Sequence, residues 1–337
     1  MQTSGVFWLC LAFLAGCAGA PGRFEFALIG DQQYNAESEA QFPRLMDDVN
    51  RVDLAFVVHI GDFKAGTFML CDDALFLSRR DQFDASRHPF IYTPGDNEWT
   101  DCHASRTGGF EPVERLSRLR ELFFVDDQSL GRRRLKLERQ SDDPRYTKFR
   151  ENARWRVGPV LFATIHVVGS NNNLGRTPEQ DAEYRERNAA NLAWLKEIFA
   201  AAKRDGSSAV AIFMQANPRF EYWFPASRAA ALETARLHER PSGFAEFVPA
   251  LAHEVLAWGK PVAVLHGDTH YFRVDKPLFR TGEQSPADRD RQIEDFTRVE
   301  VHGFPGSHWV KVTVDPADPA IFTFRDVIVD ANRFLRP

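Results

Sequence analysis

The sequence has no large excess of charge of one sign, few cysteines, and no charged residue among its first 22 positions. Its 42 Lys and Arg residues stand against 47 Asp and Glu, which gives a net charge of −5. This near balance offers no whole-molecule reason to expect nucleic-acid binding. Repeats, low-complexity linkers and composition breaks are also absent after residue 22. We therefore expect a single domain over residues 24–330.

The N-terminal segment lacks charge but contains the apolar run GVFWLCLAFLAGC. This run has the length of a signal peptide and is too short for a comfortable membrane-spanning helix. Residues 14–17, Leu-Ala-Gly-Cys, match the pattern of bacterial lipoprotein signals, so residues 1–17 are the predicted signal and Cys17 the lipidation site. The protein would then be exported and anchored to the membrane, facing the periplasm. A plain secretory signal cut after Ala20, giving a secreted soluble protein, is the alternative; the start MQTSG lacks the usual Lys or Arg.

Only four cysteines are present. Cys10 would leave with the signal segment, and Cys17 would carry the lipid. The remaining pair, Cys71 and Cys102, is a disulfide candidate because exported proteins form such bridges. Two unpaired thiols are the alternative interpretation.

Three apolar segments end in acidic or amide residues. FEFALIGDQQYN delivers Asp31, LAFVVHIGDF delivers Asp62, and PFIYTPGDNEW delivers the residues 96–98, Asp-Asn-Glu. Each segment reads as a buried strand, and ligands of open α/β sheets bind outside the carboxyl ends of the strands. Because carboxylate and amide oxygens are the preferred ligands of hard divalent cations, we expect a metal site there.

The order of elements around these segments predicts parallel strands joined by helical crossovers. Helices are predicted at 37–52 and 72–86 between the three strands, which makes a β-α-β-α-β order. A loop-rich insertion near 101–150 follows, and its basic run at 131–151 is interpreted as a solvated loop, with contact to anionic lipid or a phosphorylated substrate as the alternative. The later predictions are a hairpin at 158–159, helices at 178–206 and 243–260, strands at 208–218 and 261–270, and a C-terminal antiparallel β unit.

Taken together, these motifs resemble the calcineurin-like metallophosphoesterases. That family has Asp-x-His, Gly-Asp, Gly-Asp-Asn-His or Glu, a lone His after a strand, and Gly-His-x-His. This chain has Asp-x-Gln at 31–33, Gly-Asp at 61–62, Gly-Asp-Asn-Glu at 95–98 and Gly-Asp-Thr-His at 267–270. The resemblance, which covers residues 24 to about 275, implies a layered α/β/β/α sandwich of the metallophosphoesterase type, and the C-terminal antiparallel β unit predicted from alternation completes it.

The resemblance also implies a set of site residues. Asp62 matches the aspartate that bridges two metal ions, and Asn97 matches a ligand of the second metal. Glu98 stands where the family often has a histidine that helps the leaving group; it could act as a general acid if its pKa is raised, and otherwise would orient the substrate or Asn97. Asp62, Asn97 and Glu98 are thus the predicted catalytic residues, and the predicted metal ligands are Asp31, Gln33, Asp62, Asn97, Gln215, Asp268 and His270.

Three of these positions depart from the family pattern. Gln33 replaces a histidine, Gln215 stands where the lone histidine is expected, and Asp268 replaces the first histidine of Gly-His-x-His. Because Asp31 and Gln33 are two residues apart, an extended chain would point them at one ion. The resulting oxygen-rich set favours two divalent ions, manganese or magnesium first, with iron and calcium as alternatives to them. Asp-x-Gln also looks like the manganese-dependent diphosphatase branch of the superfamily.

Other polar residues lie near these motifs and have a less specific signal. His266 could restore a nitrogen ligand if the chain stays extended to Asp268, and otherwise packs under the site. His59 has the same two interpretations. His103, His166 and Asn172 lie on predicted loops that could reach a substrate or simply meet water.

The resemblance implies hydrolysis of a phosphomonoester or phosphodiester at a binuclear metal centre, with a small phosphorylated substrate. The charge balance predicts no nucleic-acid partner, the N-terminal lipid would provide a membrane contact, and no protein partner can be inferred. The alternative is a non-catalytic metal- or ligand-binding lipoprotein on the same fold, because most of the family's histidines are replaced. A structural module without metal is the third hypothesis.

Overall fold

The computed structural model describes residues 22–223, 241–280 and 292–333. The predicted signal segment and Cys17 lie outside these residues. In the described part of the chain, no helix has both the length and the apolar character needed to cross a membrane.

The first sheet has five strands in the order β12-β11-β1-β2-β3. Its central part, β1 to β3, is parallel, as the β-α-β-α-β pattern predicted. The strands β11 and β12 complete the sheet in antiparallel orientation. Their bounds are β1 (Phe24–Ile29), β2 (Val57–His59), β3 (Phe90–Tyr92), β11 (Trp309–Val314) and β12 (Phe322–Val327).

The second sheet has seven strands in the order β4-β5-β6-β7-β8-β10-β9. The strands β6, β7, β8 and β10 are parallel, and β5 and β6 form the hairpin predicted at residues 158–159. The bounds are β4 (Glu138–Arg139), β5 (Ala153–Val157), β6 (Val160–Thr164), β7 (Ala209–Phe213), β8 (Val262–His266), β9 (Arg273–Asp275) and β10 (Phe296–Glu300).

Three hydrophobic cores hold the layers together. The middle core lies between the two sheets, where Phe26 of β1 packs edge-on against Phe162 of β6 and Phe213 of β7. The outer cores join the first sheet to the helices α1 (Ala36–Arg51), α2 (Asp73–Asp84) and α3 (Pro112–Phe123), and the second sheet to α4 (Pro178–Arg204) and α5 (Phe247–Trp258). This helix, sheet, sheet, helix order confirms the predicted layered architecture.

The helix boundaries follow from capping residues in the sequence. Asn35 begins α1, because its side chain accepts from the Ser38 N–H while the Ser38 hydroxyl accepts from the Asn35 N–H. Thr177 caps α4 in front of Pro178, and α4 ends in Lys203 and Arg204, where cations favour the helix dipole. These local signals place the crossovers, and hence the strand ends.

The predicted C-terminal antiparallel unit is only partly correct. β11 and β12 are an antiparallel hairpin, but β10 runs parallel to β8 in the other sheet. The segment between β10 and β11 carries the chain from one sheet to the other, because residue 301 hydrogen-bonds to β8 whereas β11 pairs with β1. The alternation of apolar residues indicates a strand but does not reveal its partner.

Cys71 and Cys102 form a disulfide, which confirms the predicted pairing. Cys71 lies in the segment after β2, and Cys102 lies in a 3₁₀ turn, Thr100–His103, after β3. Both sulfur atoms are 3.8 Å from the carbonyl oxygen of Asn97. The bridge therefore joins the two segments that follow Asp62 and Asp96.

Candidate metal centre

Four strand ends deliver a carboxylate to one place. The four residues, here called the acidic site, are Asp31 after β1, Asp62 after β2, Asp96 after β3 and Asp268 after β8. Asp31, Asp62 and Asp96 are almost completely inaccessible to solvent, and Asp268 is partly buried. Strands of both sheets contribute, so the site lies at the common carboxyl end of the sandwich.

The chain turns sharply at three of these aspartates. The φ angles of Asp31, Asp62 and Asp268 are 53°, 57° and 82°, in the left-handed region that non-glycine residues seldom adopt. Such conformations cost free energy and are found where surrounding packing over-determines them, often at functional sites.

Two glycines bring the backbone against the acidic site. A Cβ atom on Gly95 would collide with an Asp62 carboxylate oxygen, and one on Gly267 would collide with Asp31. Only glycine permits these approaches, which explains the Gly-Asp pairs of the sequence in terms of space.

Asp62 is the centre of a hydrogen-bond network. Its Oδ1 accepts from the backbone N–H of Asn97 at 3.1 Å. Its Oδ2 accepts from the Tyr34 hydroxyl at 3.2 Å and from the Gln215 amide at 3.0 Å. The same Gln215 nitrogen lies 3.5 Å from Oδ1 of Asp268, so it bridges two carboxylates. All these donors are neutral.

Asp31 faces His270. The backbone N–H of Asp268 donates to both Asp31 oxygens, at 3.2 and 3.1 Å. His270 Nδ1 lies 2.9 Å from the Phe304 carbonyl oxygen. Because a carbonyl oxygen only accepts, Nδ1 carries the proton, and the lone pair of Nε2 is 3.9 Å from Asp31 Oδ1.

Burial and mutual repulsion raise the pKa values of the acidic site. Burial is the main cause for Asp31, whose pKa the Asp268 carboxylate raises further. Burial and then the Asp96 carboxylate raise the pKa of Asp62, and burial and then Asp268 raise the pKa of Asp96. Burial raises the pKa of Asp268 to about 6. Such groups either take up protons and become neutral, or stay anionic because a nearby cation compensates their charge.

Gln33 is not positioned as the sequence argument assumed. Its φ is 65° and that of Asp31 is 53°, so the chain is not extended and the two side chains are not directed the same way by strand alternation. The Gln33 amide nitrogen donates to Glu39 and to Gln82, both at 3.0 Å. The structure directs this nitrogen towards α1 and α2, and the Gln33 carbonyl oxygen is buried without a hydrogen-bond partner among the described residues.

The expectation that Glu98 meets the substrate needs correction. Glu98 is completely buried, and burial raises its pKa. Its oxygens accept from the backbone N–H groups of Asp62 and Gly95 and from the Tyr92 hydroxyl. Glu98 therefore lies beneath the site and braces the loops that carry Asp62 and Asp96, with no oxygen turned towards a substrate.

Asn97, Gln215 and His270 lie at the acidic site. The Asn97 amide donates to the Tyr34 hydroxyl at 3.0 Å. The Gln215 carbonyl oxygen accepts from the Gly169 N–H at 2.6 Å, while its nitrogen contacts Asp62. With Asp31, Asp62 and Asp268, these are the predicted residues that the structure brings together.

Two residues of the site received no role from the sequence. Asp96 was noted only as a strand-end residue, although it is the second member of a Gly-Asp pair, as Asp62 is. One of its oxygens, Oδ1, is buried and has no hydrogen-bond partner among the described residues. Tyr34 has no motif signal; its ring lies between Phe304 and His270. Burial and the Asp62 carboxylate raise the pKa of Tyr34, so its hydroxyl stays a donor.

The remaining histidines are not directed into the acidic site. The His266 ring packs near Phe220, and the chain does not stay extended up to Asp268. His59 packs among core aromatic rings. Asn172 binds Arg187 and Gly243, His103 contacts the Thr100 carbonyl oxygen, and His166 pairs with the buried Glu151.

The acidic site fits a hard divalent cation by its chemistry. The Asp31 carboxylate and the His270 lone pair face each other, and one buried Asp96 oxygen has no hydrogen-bond partner within the described part of the chain. Both features leave acceptors that a cation would satisfy. The residues able to hold it are Asp31, Asp62, Asp96, Asp268, His270 and the amides of Asn97 and Gln215.

The described residues contain no ready group of three or more His, Cys, Asp or Glu side chains arranged to hold a metal ion. The hydrogen bonds give the reason, because the Gln215 amide lies between Asp62 and Asp268 and a backbone N–H lies between Asp268 and Asp31. Binding would therefore have to displace neutral donors or use amide oxygens.

No protein-family model and no curated protein matches the chain. Among solved structures it is similar to GAP50, the anchor in the inner membrane complex of Plasmodium (10% identity, 93% of this chain, 86% of that chain, TM-score 0.49). It is also similar to a dimetal phosphatase from Danio rerio (13% identity, 89% of this chain, 98% of that chain, TM-score 0.49). A 5′-nucleotidase from Candida albicans is similar as well (12% identity, 91% of this chain, 51% of that chain, TM-score 0.43). Identities and TM-scores this low assign no activity, substrate or metal to this chain.

Proposed function

We propose that this chain is a metal-dependent phosphoesterase that hydrolyses a phosphomonoester or phosphodiester at the acidic site. The observation that carries the proposal is the convergence of four carboxylates with raised pKa values at one end of both sheets. Burying four like charges is unfavourable unless a cation occupies the site in function.

The metal would polarise the phosphate and lower the pKa of a bound water, which is the chemistry that such centres supply. Asp62, at the centre of the network, would share its two oxygens between the Asp96 side and the Asp268 side. Asn97 and His270 would hold the cation from the flanks, through the amide oxygen and the Nε2 lone pair. Glu98 would hold the Asp62 and Asp96 loops in place. A binuclear centre of manganese or magnesium, with iron or calcium as alternatives, remains the proposed cofactor.

The first experiment measures hydrolysis of p-nitrophenyl phosphate and bis-p-nitrophenyl phosphate with each of Mn²⁺, Mg²⁺, Fe²⁺ and Ca²⁺. Asp62→Asn keeps the side-chain shape but removes the charge, so we expect kcat to fall on the order of 10²-fold or more. Asp81→Asn is the matched control, because Asp81 is exposed on α2. Unchanged activity in Asp62→Asn would refute the proposed role of the acidic site.

A non-catalytic metal- or ligand-binding protein is the second candidate, favoured by the replacement of the family's histidines at Gln33, Gln215 and Asp268. Calorimetric titration with Mn²⁺ distinguishes the two. Binding that Asp62→Asn abolishes, combined with no hydrolysis of either ester under any metal, would support this candidate.

Export as a lipoprotein anchored at Cys17 and facing the periplasm also remains a proposal, with a secreted soluble protein as the alternative. The Leu-Ala-Gly-Cys motif and the disulfide between Cys71 and Cys102 support export. Mass spectrometry of the mature N-terminus tests it: a lipidated Cys17 is expected, and an unmodified Cys17 in the mature chain would exclude the anchor.

A further inference from the structure

Large hydrophobic side chains are exposed on two loops that follow residues of the acidic site. Phe68, Leu70 and Tyr271 are 72%, 52% and 74% exposed. Phe68 and Leu70 lie in the segment between Asp62 and Cys71, and Tyr271 directly follows His270. Half of the six large exposed hydrophobic residues in the described chain thus lie on loops that carry the acidic site. We call these three residues the apolar rim.

Direct contacts connect these two loops. Gly66 packs so closely on the Asn97 amide that a Cβ atom would collide with it. The Asn97 amide donates to the Tyr34 hydroxyl, and the Tyr34 ring meets His270 edge-on at a centroid distance of 5.3 Å. These direct contacts therefore connect the loop of Phe68 with the loop of Tyr271.

The segment that carries Phe68 and Leu70 is held at both ends. At its start, the buried Lys64 ammonium donates to the carbonyl oxygens of Ala65 and Asn97, at 2.7 and 2.8 Å. At its end, Cys71 is bridged to Cys102, and its N–H donates to the Thr107 carbonyl oxygen. The Arg106 guanidinium lies over the Phe68 ring, 5.1 Å from its centroid. A surface ordered in this way loses less entropy when it binds a ligand.

Single exposed hydrophobic residues need no explanation, but a group of them beside a binding site marks a contact surface. A phosphate held by the acidic site would carry its organic group on the solvent side, next to the loops that bear the apolar rim. A strongly hydrated anionic group would gain little from these three side chains. An aryl or alkyl group would lose water-exposed apolar surface there, which favours binding.

We propose that the apolar rim binds the organic group of the substrate, and that the substrate is an ester of phosphate with an apolar aryl or alkyl group. This inference rests on the proposed phosphoesterase function, since it names the substrate class of the same site. The rim residues contact the substrate's organic group only, and the acidic site acts on the phosphate.

The test compares phenyl phosphate with 4-butylphenyl phosphate, in the monoester or the corresponding diester form, whichever is hydrolysed. The two leaving groups have similar reactivity but differ in apolar area. We expect the wild type to prefer the butyl compound roughly tenfold in kcat/KM, since about 1 to 2 kcal/mol follows from burying part of a butyl chain. The triple variant Phe68→Ser, Leu70→Ser, Tyr271→Ser should reduce this preference to less than twofold.

Val125→Ser is the matched control, because Val125 is also 70% exposed but lies on the loop after α3. It should keep the wild-type preference. Equal kcat/KM values for both esters in the wild type, or an unchanged preference in the triple variant, would overturn the proposal. Melting curves of the variants verify that each is folded.

Failure of the proposed catalysis can be separated from failure of the rim. If neither ester is hydrolysed with any metal, calorimetric titration of the same two compounds replaces the kinetic assay. Tighter binding of the butyl compound that the triple variant loses would support the rim on a non-catalytic site. Equal affinities, or no binding of either compound, would overturn it.

Discussion

At the scale of single residues, the environment of Asp62 shows how one side chain organises a site. Its two oxygens take three neutral donors, from Asn97, Tyr34 and Gln215, while its own N–H donates to Glu98 below. Neutral donors orient a carboxylate, yet they leave its charge uncompensated in a buried place. The residue is thus fixed in position without being neutralised, which suits a cation ligand.

Tyr34 provides the sharpest test among the residues that the sequence did not single out. Tyr34→Phe keeps the ring between Phe304 and His270 but removes the hydroxyl that joins Asp62 to Asn97. We expect a roughly tenfold lower kcat/KM and about 1 kcal/mol less stability, as for one lost hydrogen bond. Kinetics and urea unfolding measure the two effects.

The control is Tyr146→Phe, which removes a hydroxyl from a half-buried tyrosine beside Arg145, outside the acidic site. It should leave kcat/KM unchanged. A Tyr34→Phe enzyme with wild-type kcat/KM would show that the hydroxyl has no part in positioning Asp62.

At the scale of elements, the loops after the strands decide where the functional side chains point. The strands end at buried residues. Among the residues that follow them, Asp31, Asp62 and Asp268 adopt left-handed conformations. The run from Ser170 to Asn173 has positive φ at four successive residues, and Gly169 in front of it contacts Asp96 and Asp268. Conformations of this kind persist because the surrounding packing holds them.

The disulfide is the covalent link between two of these loops. Replacing Cys71 and Cys102 by serine opens a loop of 31 residues. The loss of the cross-link lets the unfolded chain gain entropy, and we expect about 3 to 4 kcal/mol lower stability in the chain-entropy model. Urea unfolding of the double variant measures the change.

Activity of the same variant tests whether the bridge also positions the site, because both sulfur atoms contact the Asn97 carbonyl oxygen. A fall in kcat under conditions where the variant is fully folded is expected. Wild-type protein treated with a reductant under denaturing conditions and then refolded should match it. Unchanged stability in both would contradict the structural role of the bridge.

At the scale of the whole molecule, the two sheets bring negative charge together at one end. Charge repulsion in the acidic site is an internal cost of the metal-free fold, because burial raises the pKa of all four aspartates. Glu151 has the opposite behaviour: burial raises its pKa, but Arg120 and His166 outweigh this and lower it. Different carboxylates therefore change the stability in different directions as the pH varies.

The pH dependence follows from the raised pKa of Asp268. Between its unfolded value of about 4 and its folded value of about 6, the native state holds a proton that the unfolded state has released. Stability therefore falls as pH rises through this window. In EDTA, Asp268→Asn should be more stable than the wild type at pH 7 by on the order of 2 kcal/mol, and not at pH 4.

Thermal unfolding at both pH values measures this difference. Added Mn²⁺ should raise the Tm of the wild type more at pH 7 than at pH 4, because protons compete with the cation for the same carboxylates. A wild-type advantage over Asp268→Asn at pH 7 in EDTA would contradict the assigned direction of the pKa shift.

The parallel pairing of β1, β2 and β3 and the approximate location of the candidate site could be predicted from local patterns. Apolar runs that end in Gly-Asp report a buried strand and the residue at its carboxyl end, and parallel strands bring such ends together. The pairing of Cys71 with Cys102 followed from their number and placement. These features depend on residues close together in the chain, so the sequence by itself determined them.

Only the tertiary structure decided which side chains face the site. Asp96 enters it, Glu98 braces it from below, and the Gln33 amide nitrogen turns to α1 and α2, although all three lie in strand-end motifs. The direction of a side chain after a strand depends on the φ and ψ angles of a loop, and contacts from distant elements fix these angles. The same holds for β10, whose partner β8 no local pattern reveals.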